Sequence, residues 1–229
     1  MAVATAPVRF GDPGAAVDPS RTGATALAGW ARLFSTRTGP RLIAAALAAA
    51  LAARLWLGQW RWRDLLVAAV MVAAQPFTEW VTHVFVLHAR PRRLGRLTVD
   101  LGVARKHRRH HLDPRDIELV LVPLPTVVTL IAGAGAAIAL FGRNPQGVTA
   151  GVTGFALLLG YEWTHFLIHS PYRPRRSLYR SIWRAHRLHH FKNERYWFGI
   201  TTNIGDRVLR TNPDRGEVET SPTARTLVA

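Results

Sequence analysis

Four apolar stretches, each close to the length of a membrane span, constrain this 229-residue chain more than any other feature. They cover roughly 41–58, 65–87, 117–141 and 147–168. A helix of about 20 mainly apolar residues crosses the roughly 30 Å of bilayer hydrocarbon. The third and fourth stretches meet that standard directly. The first is Ala-rich and carries Arg54, which has to snorkel if the stretch spans. The second stays apolar as far as Glu79 and His83, where it turns polar on one side. Segments 59–63 and 142–146 are short enough only for hairpin turns. The expected fold is therefore all-α and integral to a membrane, with four transmembrane helices in two hairpins.

Basic residues set the expected orientation. Lys+Arg number 30 against 14 Asp+Glu, a net charge of +16, and only Lys106 and Lys192 are lysines. The N-terminal arm through Arg41 holds five, segment 89–116 nine and the tail from Ser170 twelve, 26 in all on one side. The short loops hold three, Arg61, Arg63 and Arg143, with Arg54 inside a helix. Loops rich in Lys and Arg stay cytoplasmic, so both termini and the long central loop are expected there. The charge lies beside spans, and no nucleic-acid partner is needed to explain it. Arg and Ala bias suits a GC-rich bacterial genome, and a bacterial plasma membrane is the expected location.

The ends read differently. Residues 1–26 mix small residues with Pro and Gly, without apolar periodicity, and predict a disordered arm. No apolar run follows the arm's first basic residue, so no cleaved signal peptide is expected. Residues 27–38 place Leu27, Trp30, Leu33 and Phe34 at helical spacing, as an interfacial helix would, or a packed one. Residues 27–211 are expected to form a single membrane domain and 212–229 a disordered tail. The chain has no cysteine, which excludes disulfides, thiolate metal sites, iron–sulfur clusters and Cys nucleophiles.

All ten histidines fall in four boxes. His83 and His88 end the second stretch, and His107, His110 and His111 lie in the basic loop. His165 and His169 end the fourth stretch, and His186, His189 and His190 lie in the tail. The boxes are expected on one side, in a cytoplasmic helical cap. Helical residues three or four apart share a face, so each triad can converge. His83 and His88, five apart, converge only where the helix ends or loosens, or where they flank two metals. Neutral imidazole suits iron, zinc, copper or nickel rather than magnesium or calcium. Ten imidazoles are too many for one ion. Five on each of two ions would leave one octahedral position open on each.

The pattern also repeats. Thr78-Glu79-Trp80-Val81-Thr82-His83 is echoed by Tyr161-Glu162-Trp163-Thr164-His165, and HRRHH by HRLHH. Two similar halves facing one bimetal site are expected. Glu79 and Glu162 lie one turn before the first histidine of each pair, where carboxylates can orient imidazoles. Direct ligation and a purely structural hydrogen bond are the other readings.

With these motifs in that order, residues 65–211 resemble the fatty acid hydroxylase and sterol desaturase superfamily of membrane di-iron enzymes. The layout is most similar to the fatty acid 2-hydroxylase branch. The resemblance implies that His83, His88, His107, His110, His111, His165, His169, His186, His189 and His190 hold two iron ions, with zinc as a possible substitute. It also implies O2 as co-substrate and hydroxylation of a lipid acyl chain. The segment Tyr196–Thr202 and Asp206-Arg207 resembles the family's closing segment, although Gly205 stands where family members often carry Trp. Residues 1–40 hold no histidine for a fused haem domain, so a separate electron-transfer protein is expected. A sterol or carotenoid hydroxylase and a lipid desaturase are alternatives within the superfamily. A membrane metal-handling protein is the alternative from another class, but a transporter places ligands near the bilayer midplane and these boxes gather at one face.

Overall fold

Long apolar helices that leave their apolar side chains outside make up most of the computed structural model, which describes residues 8–10, 24–140 and 144–227. Helix α1 (Ala24–Ser35) leads into α2 (Thr38–Leu57), and α3 (Trp62–Val81) continues as a π-helical segment over Thr82–Leu87. Strands β1 (Arg92–Leu94) and β2 (Leu97–Val99) follow, then α4 (Gly102–Leu112), α5 (Ile117–Val120) and α6 (Leu124–Leu140). The chain continues through α7 (Pro145–His169), α8 (Ser177–Phe191) and the short α9 (Ile204–Val208). Three segments, Thr38–Leu57, Trp62–Leu87 and Ile117–Leu140, are long and apolar enough to cross a membrane. Their outer faces expose Leu55, Leu65, Val70 and Val128, a surface that lipid solvates and water does not.

The fourth expected span is α7, 25 residues and about 37 Å long at 1.5 Å per residue. It packs on α2, α3 and α6 as the central helix. Thr, Gly, Glu and His interrupt its apolar character, and it is not among the three apolar segments.

The third expected span is broken. Between α5 and α6 the chain is extended at Leu121, with Pro123 and Pro125 following. A residue that precedes proline is pushed out of helical geometry. The Val122 N–H, left without a helical acceptor, donates to Glu162 Oε1 at 2.9 Å.

The fold is mostly helical, as expected, with one short hairpin in which Gly95, at φ +62°, turns β1 onto β2. Two further expectations are corrected. The tail over 212–227 packs rather than trailing off. Val218, Ala224 and Leu227 are buried, Ser221 N–H donates to the Lys192 carbonyl at 2.7 Å, and Thr223 Oγ1 donates to Glu194 at 2.6 Å. In the expected N-terminal arm Phe10 is buried, and its ring meets Trp30 and Phe166 edge-on; residues 1–7 and 11–23 lie outside the described residues. The same cluster makes α1 a packed helix, with Trp30 and Phe34 buried against α7.

Arg54 does not snorkel. It is buried, its Nη2 lies 2.9 Å from Asp64 Oδ1, its Nε donates to Thr149 Oγ1 at 2.8 Å, and its guanidinium stacks over Trp60. Thr149 donates in turn to Asp64 at 2.6 Å. This network ties α2, α3 and α7 together at the end remote from the histidines, where Trp56, Trp60 and Trp62 are exposed as membrane-interface tryptophans commonly are. Removing one partner of a buried ion pair costs about 3–5 kcal/mol, whereas replacing both by apolar residues is close to neutral. Asp64→Ala is therefore expected to lower stability by about that amount in detergent, and Arg54→Met with Asp64→Leu to restore most of it. Thermal unfolding of the three proteins measures this, and equal stability of Asp64→Ala and the parent would contradict it.

Candidate metal centre

The ten histidines converge, but not box by box. His83, His88, His107, His111 and His189 form one group, and His110, His165, His169, His186 and His190 form another, the ligand nitrogens of each lying within 4.8 Å of one another. All are buried except His88, which is half-buried. Each pentad takes four histidines from one half of the repeat and one from the other. His107 and His111, one turn apart on α4, face the first pentad, while His110 faces the second. On α8, His186 and His190 face the second and His189 the first. The expectation that a triad converges as a unit is thereby corrected.

The five-residue spacing of the first box is accommodated by the π-helical turn. The His88 N–H donates to the His83 carbonyl at 3.1 Å, the i→i+5 bond of that geometry. The widened turn brings the two rings to 5.0 Å, centroid to centroid.

Main-chain carbonyls orient three of the rings. His83 Nδ1 donates to Phe198 O at 2.7 Å, His111 Nδ1 to Ala224 O at 2.8 Å and His189 Nδ1 to Tyr196 O at 2.8 Å. A carbonyl oxygen only accepts, so each Nδ1 carries the proton and each Nε2 is left as a bare lone pair. His107 Nε2 lies 3.2 Å from both His83 Nε2 and His111 Nε2. It has at most one proton to share between two acceptors. In the second pentad His186 Nε2 lies 3.2 Å from His169 Nε2 and 3.1 Å from His190 Nε2. Among the described residues, His186 Nδ1, His190 Nδ1 and both nitrogens of His110 have no hydrogen-bond partner.

Lone pairs gathered in this way fit a metal ion. Nitrogens at about 2.0–2.1 Å from one ion and at right angles around it lie about 3 Å apart, close to the spacing seen in both pentads. The donor set is all-imidazole, which suits iron or zinc.

Glu79 and Glu162 do not orient imidazoles. Glu79 accepts from the Ile200 and Thr201 N–H groups and from Thr201 Oγ1, and Glu162 accepts from Val122. Each braces an extended segment against its helix. Asp206 braces the same closing segment from the other side, accepting from Phe198 N–H at 2.9 Å, Gly199 N–H at 2.6 Å and Thr211 Oγ1 at 2.7 Å. Trp197, between the two carbonyl-bearing residues Tyr196 and Phe198, is held at φ +58°, a left-handed conformation costly for a bulky residue. At Gly205 a Cβ would stand 2.5 Å from the Pro76 carbonyl, so the close approach of α9 to α3 leaves no room there for a larger side chain.

A cavity of about 450 Å³ runs between α3, α6 and α7 to this centre. Met71, Leu130, Leu157 and Leu158 are among its apolar walls, and His83, His107 and His165 stand at its edge. It therefore touches both pentads.

The sequence model of the fatty acid hydroxylase family matches residues 68–211, which contain all ten histidines. The chain belongs to this family. It is 27% identical over 144 residues to a dihydroceramide fatty acyl 2-hydroxylase of Arabidopsis thaliana, covering 60% of this chain and 56% of the relative. It is likewise 27% identical over 139 residues to a fatty acid 2-hydroxylase of Mus musculus, covering 59% of this chain and 36% of that one. The aligned part thus spans about half the length of these relatives or less. A solved structure described as full-length scs7p with only its hydroxylase domain visible shares the fold, with a TM-score of 0.57 at 21% identity, over 79% of this chain and 66% of the other.

Burial, reinforced by neighbouring imidazoles, holds His107, His110, His186, His189 and His190 well below the ordinary histidine range. The unfolded chain, with histidines near pKa 6.5, binds more protons below that pH than the fold does. Stability is therefore complete above about pH 6.5 and falls as pH drops below it, where the unfolded chain takes up protons that the buried imidazoles do not. Metal-stripped protein is expected to keep its melting temperature between about pH 8 and 7 and to lose it steeply below about 6.5. A melting temperature that stays level down to about pH 5 would contradict the neutral, buried cluster.

Proposed function

We propose that this protein is a membrane-bound di-iron oxygenase that hydroxylates a lipid acyl chain at the carbon beside the carboxyl group. The observation that carries this reading is an apolar cavity that opens between lipid-facing helices and ends against both histidine pentads. The names of its relatives supply the position of oxidation. In this reading α7 is a fourth span, both termini and the histidine cap face the cytoplasm of a bacterial cell, and electrons come from a separate protein.

Two iron ions held by the pentads would supply O2 activation and removal of hydrogen from an unactivated C–H bond. The chain's own residues do the rest. Each ion would be held by the five neutral imidazoles of one pentad. The carbonyls of Tyr196, Phe198 and Ala224 keep His189, His83 and His111 in the tautomer that binds metal. The walls from Met71 to Leu158 exclude water and align an extended acyl chain, so that one carbon is presented rather than many. A chain already dissolved in the bilayer enters without crossing water. Ligands gathered at one end of the bundle, away from the midplane, fit a catalyst rather than a metal pathway.

Cells expressing the protein with a compatible electron donor are expected to accumulate acyl lipids heavier by one oxygen atom, located by fragmentation at the second carbon and labelled under labelled O2. His190→Ala is expected to abolish the product. Leu158→Trp, which fills the cavity, is expected to reduce it on the order of 100-fold with metal content unchanged. Oxygen drawn from labelled water would contradict the oxygenase reading, and loss of two hydrogens without oxygen would assign a desaturase instead.

A further inference from the structure

The β1–β2 hairpin stands apart from the metal centre and from the packed core. Its strands pair Arg92 with Val99, Arg93 with Thr98 and Leu94 with Leu97, and all six residues are exposed. Paired residues share a face and successive ones alternate, so Leu94, Leu97 and Val99, which are 64%, 73% and 46% exposed, share one face with Arg92, while Arg93 and Thr98 lie on the other. An isolated two-stranded hairpin with an apolar face is marginal in water. Yet its base is built firmly. Arg108 on α4 makes two bonds to the Asp100 carboxylate, at 2.6 and 2.7 Å, and donates to the Ala89 carbonyl at 2.9 Å, clamping both ends of the excursion.

Position and charge point to what covers that face. The hairpin begins five residues after Leu87, where the apolar segment Trp62–Leu87 ends. Val86 and Leu87 before it and Val103 after it line the cavity, so both ends of the hairpin adjoin the cavity wall where the apolar segment ends. Arg90, Arg92 and Arg96 flank the leucines in sequence, Arg92 on their own face, and the only carboxylate nearby in sequence, Asp100, is engaged by Arg108. Arginines beside an apolar face suit the boundary between anionic headgroups and acyl chains. An acidic protein partner would match the arginines and leave the leucines unexplained.

We propose that the β1–β2 hairpin is a membrane-interface finger, with Leu94, Leu97 and Val99 seated among lipid chains and Arg92 and Arg96, at the edges of that face, on anionic lipid phosphates beside the cavity. This inference rests on the reading of Trp62–Leu87 as a span and is independent of the reaction catalysed.

The absence of cysteine allows single labels to be placed in the full chain. Nitroxide labels at Leu97→Cys, Thr98→Cys and, within the span, Leu66→Cys would be compared in vesicles of phosphatidylcholine with and without phosphatidylglycerol, by accessibility to O2 and to a water-soluble nickel chelate. The label at position 97 is expected to be shielded from nickel and accessible to O2, and the label at 98 the reverse. Shielding at 97 should deepen with phosphatidylglycerol, and Arg92→Gln and Arg96→Gln together should remove that gain. Equal nickel access at 97 and 98 in both vesicles would overturn the finger. Shielding of 97 that appears only when an acidic electron-transfer protein is added would also overturn it, assigning the face to that partner. An aqueous label at 66 would instead bring down the span reading on which the finger rests.

Discussion

Imidazole lone pairs facing one another in a dry interior are the constraint on which the rest of the structure depends. His107 Nε2 stands 3.2 Å from two nitrogens that carbonyl bonds elsewhere on their rings have left without protons. Protons cannot satisfy this arrangement, because at most one is available for two contacts. Each unpaired buried nitrogen costs about 1–3 kcal/mol, and protonating the rings would place cations in contact with one another. A divalent ion at each pentad resolves both costs together, since every lone pair then has the same partner.

Other parts of the fold bear on that geometry. The π-helical turn brings His88 round to the side of His83, and the exchange of His110 and His189 couples α4 to α8 through the pentads they share. The segment from Tyr196 to Phe198 supplies two carbonyls to the first pentad and is held by Glu79 on α3 and Asp206 on α9. Ala224 supplies a third carbonyl from a tail anchored by Ser221 and Thr223. These three carbonyl-bound rings all belong to the first pentad. At the far end the Arg54–Asp64–Thr149 network joins α2, α3 and α7, and α7 carries His165 and His169 into the centre.

Much of this was legible in the sequence, because helices and histidine boxes announce themselves through spacing and side-chain type. The five-residue gap between His83 and His88 already required a helix that ends or loosens, or a pair that flanks two metals. The exchange between pentads was not legible. Spacing places His107, His110 and His111 on one broad face, and only the docking of α4 against its neighbours decides which group each ring joins. The carbonyls of Tyr196, Phe198 and Ala224 carry no side-chain signature, so carboxylates at Glu79 and Glu162 looked like the orienting groups. Asp64, in the first turn after a short hairpin, was the available signal that Arg54 has a buried partner. The polar composition of 212–227 concealed a segment held mainly by main-chain bonds and a few apolar side chains.

Metal content of the purified, full-length protein tests the central claim most directly. Two ions per chain are expected from two five-histidine groups. Replacing His83 and His88 together should leave one ion, and replacing His165 and His169 together should also leave one, with the chain still folded in both cases. A parent protein that folds and holds one ion or none, or paired variants that keep both, would contradict the account.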